Sequence, residues 1–410
     1  MALEELKNTP LDYIPGKEPP KEKPLVYDHS MEITWATAEK LWETVNEIRA
    51  EKSLLGGDKC QVVVFQSEGD VTMSLYEKLL RSPLGEYGAT TVHDKVFPDT
   101  EFEAEALNAL PGAEHIYFVA SLVKPEDIDR VLAVGNYYKK ILNAKQITLV
   151  CSFLRTTRQD KNVDKTGDLT PSMPNIYTTL QQLASVVDRM IVFEPHSSST
   201  QAFAAQLGVP LAPLSPWRYL MEQVFERGSK KDGKHVDMKK AQKRIVRPDK
   251  GRYIAAARIS NLFGILSIIC GKMRVSPTET RIIFENLPQE MNNITALCFD
   301  DEINTMETVG NIANGLSVLA FIIAAVHAKF TNSWKDIVRN PKITKVFVSD
   351  SRKPVGDIND PEIKDKVEVI SLATLVYGII RADMQGINFW KDKEYSTMLL
   401  QTRLDEDCKE

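Results

Sequence analysis

The sequence of 410 residues is poor in cysteine and lacks the spacings that cysteine-based sites require. Its five cysteines are widely scattered, and no two of them form a CxxC pair. Neither a zinc site nor a dithiol redox site is therefore supported. Because Cys60, Cys151 and Cys298 lie in or beside apolar runs, we expect buried free thiols in a reducing compartment, the cytoplasm.

Long apolar runs and an excess of positive charge are also missing. The longest apolar stretch, Leu316 to Val326, is much shorter than the roughly 20 residues of a membrane-spanning helix, and we interpret it as part of a core helix. The N-terminal sequence MALEELKNTP has no apolar core of signal-peptide type. The formal net charge of −5 gives no reason to expect nucleic acid or an anionic membrane as a partner.

Three common signatures of nucleotide and metal chemistry are absent. The chain has no GxxxxGKS or GxxxxGKT phosphate loop, no GxGxxG fingerprint and no HExxH, so P-loop, Rossmann and zinc-protease interpretations are unsupported. What the chain does have is a regular alternation. Short β-branched runs, as in residues 60–66, 145–153 and 294–299, are separated by stretches with helical periodicity.

This alternation occurs in two successive sets, which predicts an α/β fold. Strands separated by helices are typical of βαβ units on a mostly parallel sheet. We expect two tandem domains, each with a mostly parallel sheet flanked by helices. In the second set, the apolar residues 309–328 predict one long helix.

The predicted organisation has four segments. An N-terminal extension with one amphipathic helix covers residues 1–57, and its first part is rich in proline, lysine and glutamate. The two domains cover residues 58–215 and 216–390, and a C-terminal tail covers residues 391–410. The basic stretch 227–247 is interpreted as a solvated loop, with a phosphate-attracting or nucleic-acid-binding role as the alternative.

The most informative polar segment is residues 299–308, between a predicted strand and a predicted helix. Parallel sheets bind ligands in the loops beyond the carboxyl ends of their strands. Asp300 and Asp301 are suited to accept hydrogen bonds from vicinal sugar hydroxyls or to hold a metal. The turn into the helix can cradle a phosphate. The alternative is an ordinary acidic turn that caps the helix.

Other predicted strand ends carry residues suited to nucleotide phosphates. Arg158 and Gln159 follow one strand. Glu194 and His196 follow the next, and a carboxylate and an imidazole at this spacing can both reach a divalent ion or its waters. Lys272-Met273-Arg274 also lies at a strand end, where two cations can neutralise a migrating phosphoryl group.

The order of these motifs resembles that of the ribose-phosphate diphosphokinases (PRPP synthetases), from about residue 62 to about residue 382. Each motif alone is weak, but the collinear set is specific. The segments that carry the resemblance are Phe97-Pro98-Asp99-Thr100-Glu101, Thr157-Arg158-Gln159-Asp160-Lys161, Glu194-Pro195-His196-Ser197, Arg247-Pro248-Asp249-Lys250-Gly251, Lys272-Met273-Arg274 and Asp300 to Thr308.

The resemblance implies two phosphoribosyltransferase-like domains and a homo-oligomer built from dimers. It implies transfer of diphosphate from ATP, with Mg²⁺, to the C1 hydroxyl of ribose 5-phosphate, which gives PRPP and AMP. The site residues that it implies are Lys272 and Arg274 for catalysis, Phe97, Asp99, Glu101, Arg158 and Gln159 for ATP, His196, Asp249 and Glu194 for the metal, and Asp300, Asp301, Asn304, Thr305 and Thr308 for the sugar phosphate.

Departures from the family pattern leave the acceptor open. Where the family has two glycines in its phosphate loop, this chain has Met306 and Glu307. Loss of the glycines hinders close approach of the backbone to a terminal phosphate, and Glu307 adds a like charge. The alternatives are a diphosphokinase for a larger acceptor such as ADP-ribose, a phosphoribosyltransferase, and a non-catalytic regulatory subunit. Retention of Lys272 and Arg274 argues against the last.

Overall fold

The structure is a computed structural model, and it describes ten parts of the chain. These are residues 60–66, 77, 88–98, 102–160, 173–231, 234–236, 241–247, 259–274, 280–285 and 287–386. In these parts, no helix has both the length and the apolar character needed to cross a membrane. The predicted N-terminal helix, the C-terminal tail and three predicted site residues lie outside the described residues, namely Asp99, Glu101 and Asp249.

The first sheet has seven strands. They are β1 (Cys60–Val64), β2 (Ala89–Val96), β3 (Phe102–Ala106), β4 (His115–Leu122), β5 (Gln146–Leu154), β6 (Arg189–Phe193) and β7 (Leu211–Leu214). Their order across the sheet is β3-β2-β1-β4-β5-β6-β7. The β2–β3 pair is antiparallel and the other pairs are parallel.

Three complete helices of this first unit lie in the described residues. They are α1 (Pro125–Asn136), which continues as a π-helical turn (Tyr137–Ile141), α2 (Asn175–Ala184) and α3 (Ser199–Gln206). All eight residues of β4 are buried, as expected for a parallel strand covered on both faces.

The second sheet follows α4 (Trp217–Arg227) and a short antiparallel ribbon, β8 (Ser229–Lys231) with β9 (Lys234–Val236). Its strands are β10 (Gln242–Arg247), β11 (Ser267–Arg274), β12 (Thr280–Glu285), β13 (Ile294–Ile303), β14 (Ala320–Ala328), β15 (Ile343–Ser349) and β16 (Val367–Ile370). Its helices in the described residues include α5 (Glu307–Gly315), α6 (Trp334–Arg339) and α7 (Ala373–Met384), and residues 259–263 are also helical.

The strand order of the second sheet repeats that of the first. It is β12-β11-β10-β13-β14-β15-β16, with β11–β12 antiparallel and the remaining pairs parallel. The predicted α/β fold with two tandem, mostly parallel sheets is therefore confirmed. The ribbon β8–β9 lies within residues 227–247, which the sequence had suggested to be a loop.

The single long helix predicted for residues 309–328 is wrong. The helix ends at Gly315, and the apolar run that follows forms β14, in which all nine residues are buried. A continuous apolar run fits a buried parallel strand as well as a buried helix, so periodicity cannot separate them. The Asn314-Gly315 pair was the stop signal that the prediction overlooked.

Helices α4 and α7 lie between the two sheets. The outer face of the first sheet packs on α1, α2 and α3, and that of the second sheet packs on α5 and α6. The inner faces of both sheets share one apolar core with α4 and α7. The predicted domain boundary at residue 215 stays a prediction, since the two units share this core.

A buried ion pair ties α7 to the first sheet. Arg189 on β6 and Asp383 on α7 are 0% and 1% exposed, and the guanidinium donates to the carboxylate. Tyr117 Oη donates to the same carboxylate at 2.7 Å, and Arg189 Nε donates to Thr148 Oγ1 at 2.9 Å. With these partners, the ion pair favours one position of α7 relative to the first sheet, because any shift of the helix would leave a buried charge unpaired.

Replacing Asp383 by asparagine should lower the free energy of unfolding by about 3–5 kcal/mol, because the buried Arg189 cation loses its counter-charge. Urea denaturation of the full chain, followed by circular dichroism, measures the change. The double variant Arg189→Met with Asp383→Leu should lose less, since neither charge then remains buried. A double variant as unstable as Asp383→Asn would contradict this role of the pair.

Candidate active site

The carboxyl ends of strands from both sheets meet at one place. Three contacts show this: His196, which follows β6, contacts Asp301 on β13; Arg158, which follows β5, contacts Glu302 on β13; and Phe153 on β5 contacts His327 on β14. The site predicted from separate strand ends thus includes residues from both units.

The acidic segment lies within a strand, which corrects the prediction of a loop after residue 299. Strand β13 continues to Ile303 because its residues keep pairing with β14, with Asp300 opposite Ala325 and Glu302 opposite His327. Asp301 and Glu302 are 3% and 6% exposed, while Asp300 is partly exposed. The carboxylates are consequently held on rigid backbone.

Asp301 positions His196. Its Oδ2 lies 2.8 Å from His196 Nδ1, and its Oδ1 accepts the backbone N–H of Glu302 at 2.6 Å. His196 is partly exposed, whereas the carboxylate is buried. An imidazole held by a carboxylate at one nitrogen has a fixed orientation and presents its other nitrogen to a ligand.

Glu302 gathers two cations at the site. Its Oε2 accepts a hydrogen bond from Lys329 Nζ at 2.7 Å and lies 3.5 Å from Arg158 Nη1. The carboxyl side chain is 3% exposed, whereas Arg158 is half exposed. Lys329 was not predicted, because residues 309–328 were assigned to one helix and the end of β14 was therefore not recognised. A buried apolar run followed directly by lysine was the available signal.

His327 was also missed, and it supports the loop that carries His196. The ring is fully buried, which lowers the pKa of His327, and it hydrogen-bonds the backbone of Glu194. Glu194 adopts a φ of 38°, an uncommon conformation for a residue other than glycine. The Glu194 carboxylate accepts a hydrogen bond from Ser215 Oγ. His327, from its position on β14, keeps the turn after β6 in place.

The predicted sugar-phosphate segment leads into α5. Asn304 Oδ1 accepts a hydrogen bond from Thr331 Oγ1, and Asn304, Thr305 and Thr308 are all partly exposed. Met306 is the N-cap residue, and no side chain caps the helix. An uncapped N-terminus presents backbone N–H groups and the positive end of the helix dipole, which together favour an anion.

Met306 does not obstruct this helix start as the sequence suggested, whereas Glu307 keeps its charge in the first turn. The Met306 side chain is 5% exposed and packs in the apolar core of the second unit, and Glu307 is exposed. Met306 has a φ of 65°, the left-handed conformation that glycine adopts more easily. The backbone geometry of a glycine is thus kept while the side chain is turned inward.

The remaining predicted residues differ in where the fold places them. Phe97 follows β2, and β1 and β4 separate β2 from β5, which precedes Arg158. Gln159 accepts a hydrogen bond from Asn175. Lys272 and Arg274 are among the last three residues of β11 and pair with Ile282 and Thr280 in register; their side chains are outside the described part.

The predicted metal residues do not form a complete cluster in the part of the chain that the structure describes. There, no group of three or more His, Cys, Asp or Glu side chains is arranged to hold a metal ion. Glu194 contacts Ser215, and Asp249 lies outside the described residues. The metal residues stay a prediction. The donors that the structure describes are the imidazole nitrogen of His196 and the carboxylate oxygens of Asp301.

Comparisons with known proteins agree with the motif order, although no family model matches the chain. The ribose-phosphate pyrophosphokinase of Pyrococcus furiosus is 26% identical over 246 residues, 59% of this chain and 79% of that protein. That of Pyrococcus abyssi is 24% identical over 244 residues, 58% and 76%. These matches confirm the resemblance to the ribose-phosphate pyrophosphokinases.

A solved structure shares the fold. The phosphoribosylpyrophosphate synthetase from Mycobacterium smegmatis has a TM-score of 0.63 and 18% sequence identity, and it covers 80% of this chain and 99% of that one. At this identity the likeness establishes the architecture, two mostly parallel sheets flanked by helices.

Replacing Lys329 by methionine should lower the free energy of unfolding by about 1–3 kcal/mol, since Glu302 is buried and loses its nearest cation. The matched control is Lys335→Met, which breaks a pair with Asp360 of the same 2.7 Å length at a more exposed position; it should cost about 0–1 kcal/mol. Urea denaturation compares the two variants. Equal losses of unfolding free energy in the two variants would mean that burial of Glu302 does not raise the cost of removing its cation.

Proposed function

We propose that this protein transfers a diphosphate group from Mg²⁺-ATP to the C1 hydroxyl of ribose 5-phosphate, giving PRPP and AMP. One observation carries the proposal. His196 belongs to the segment that resembles the magnesium motif of the family, and Asp301 to the segment that resembles its ribose-phosphate loop. These residues are 105 positions apart in sequence and are joined by a 2.8 Å contact.

The sugar phosphate is assigned to β13 and α5. Asp300 and Asp301 accept hydrogen bonds from the ribose hydroxyls, which aligns C1 for attack. The 5′-phosphate lies at the uncapped start of α5, with Asn304, Thr305 and Thr308 around it. Because Met306 packs in the core, the steric part of the objection that favoured a larger acceptor such as ADP-ribose loses its basis. Glu307 is exposed in the first turn of α5, so the like charge that it adds remains.

The nucleotide is assigned to the ends of β5 and β6. Arg158 carries positive charge at the site, Gln159 follows it, and Lys329 supplies a second described cation. The resemblance adds Phe97, Asp99 and Glu101 for the adenine. These three stay proposals, as does the homo-oligomer built from dimers. In the same chain, two strands lie between β2, which precedes Phe97, and β5, which precedes Arg158.

The reaction is an in-line displacement. The C1 oxygen forms a bond to the β-phosphorus of ATP, and the bond from that phosphorus to the oxygen bridging to the α-phosphorus breaks, releasing AMP. Lys272 and Arg274 neutralise charge on the transferring group, which lowers the barrier because the charges are already in position. Asp301 holds His196 in one orientation throughout.

Magnesium fits this donor set. Mg²⁺ prefers hard oxygen ligands and binds through one or two carboxylates together with waters and substrate phosphates. His196, Asp249 and Glu194 would hold the ion or its waters, with Asp301 beside His196. When bound, the ion supplies charge neutralisation on the phosphate oxygens.

Removing the proposed catalytic cation should separate chemistry from binding. Lys272→Ala should lower kcat by roughly 10²–10³, the scale of losing one preorganised charge at a transition state, while ATP binding changes much less. The control is Lys140→Ala, which removes an exposed lysine from the π-helical turn after α1 and should leave kcat unchanged. Near-normal turnover of Lys272→Ala would remove Lys272 from the mechanism.

The acceptor is tested by measuring AMP release from Mg²⁺-ATP with ribose 5-phosphate or ADP-ribose. We expect kcat/KM for ribose 5-phosphate to be at least about tenfold higher, equivalent to roughly 1.4 kcal/mol, and no release in EDTA. A preference for ADP-ribose would contradict the proposed acceptor. Absence of AMP with every acceptor would indicate a non-catalytic subunit.

A further inference from the structure

A pocket of about 580 Å³ lies between the two units, at strand ends that the proposed reaction does not use. Its first wall comes from Gln66, which follows β1, and from the start of α1. Its second wall is the segment from Arg352 to Val355, which follows β15. Four cationic and two acidic side chains line it, namely Lys124, Arg130, Arg352, Lys353, Glu126 and Asp127.

Arg352 is the most unusual of these cations. It is 6% exposed, and its guanidinium lies over the ring of Phe153 at 4.7 Å. Its Nε donates to the backbone oxygen of Lys353 at 3.3 Å, and no carboxylate of the described residues forms an ion pair with it. Burial lowers the pKa of Arg352, and the charge of Glu302 raises it in part. A buried cation without an ion pair is costly unless an anion joins it.

The pocket favours an anion despite its acidic residues, because the Asp127 carboxylate already accepts hydrogen bonds from neighbouring groups of the protein. Its Oδ2 accepts the backbone N–H groups of Val123 and Lys124 at 2.8 and 2.7 Å, and its Oδ1 accepts Arg130 Nη1 at 2.8 Å. Arg130 also pairs with Asp94. Asp127 and Arg130 therefore neutralise each other, and the two cations Lys124 and Arg352 outnumber Glu126.

We propose that this pocket binds a phosphate-bearing anion. Arg352 is the most buried of its cations and is suited to bind an oxyanion, since a guanidinium offers a planar fork of N–H donors. Lys124 and Lys353 are exposed at the rim and belong to different units, so a bound anion bridges the two. Val123, Pro354 and Val355 also line the pocket and supply apolar surface for the organic part of a phosphate ester.

The pocket is connected to the candidate active site. Phe153 contacts Arg352 on one side and His327 at 5.0 Å on another. In addition, the backbone N–H of Val355 donates to the backbone oxygen of Lys329 at 3.0 Å. The segment that would hold the anion is thus bonded to the residue that pairs with Glu302, although none of the proposed catalytic residues lines the pocket.

The test is isothermal titration calorimetry of the full chain with inorganic phosphate and, separately, phenyl phosphate. Hydrogen–deuterium exchange locates the binding. We expect phosphate to protect residues 123–130 and 352–355, in addition to any protection of residues 300–308 by occupation of the sugar-phosphate site. Tighter binding of phenyl phosphate would identify an organic phosphate ester as the ligand, and equal affinity a free oxyanion.

Two variants and one control decide the outcome. Arg352→Met should weaken binding to this pocket at least tenfold. Because Arg352 is buried, Lys124→Ala, an exposed change that should weaken binding about threefold or more, provides a second test that does not threaten folding. Lys140→Ala removes a lysine further along the same helical segment and should have no effect. Protection confined to residues 300–308, or unchanged affinity in both variants, would overturn the proposal.

Discussion

The position of α7 between the two sheets is the constraint on which the site depends. This helix belongs to the second unit, but its Asp383 is bonded to Arg189 and Tyr117 of the first. Together with α4, it fills the apolar core that both sheets share. Because the sheets are held in one relative position, strand ends that are far apart in sequence meet, and the contact between His196 and Asp301 becomes possible.

Rigid backbone and buried charge then organise the site. Asp301 and Glu302 lie within β13 rather than in a loop, so ladder hydrogen bonds with β14 hold them. His327 on β14 bonds the backbone of Glu194, the residue with a φ of 38°. Strained conformations persist where surrounding structure over-determines them, and they occur often at functional sites. The turn that carries His196 is held by such surrounding contacts and lies at the candidate site.

Much of the fold could be predicted from the sequence, and the failures have physical causes. Runs such as Gln146–Leu154 are apolar and β-branched, and they were recognised as strands. The strands Ala89–Val96 and Phe102–Ala106 were missed because polar residues interrupt their apolar ones, and Phe102–Ala106 lies at the sheet edge. For Ala320–Ala328, burial on both faces erased the periodicity that separates strand from helix.

The candidate site was predicted in part, for a different reason. Motif order identified Arg158, His196 and Asp301, and the structure brings these three near one another. It could not identify Glu302 or Lys329, because their pairing depends on the register between β13 and β14. Arg352 was equally invisible, since its significance comes from burial against Phe153 and not from its sequence context.

The repeated strand order has a consequence for how the two halves have diverged. By position in the order, β4 corresponds to β13, and a helix follows each of them. In the second half that helix, α5, begins without a side-chain cap. In the first half, the Asp127 carboxylate occupies the start of α1. The first half thus places one of its own carboxylates against the backbone N–H groups at the helix start, whereas the corresponding groups of the second half have no side-chain cap.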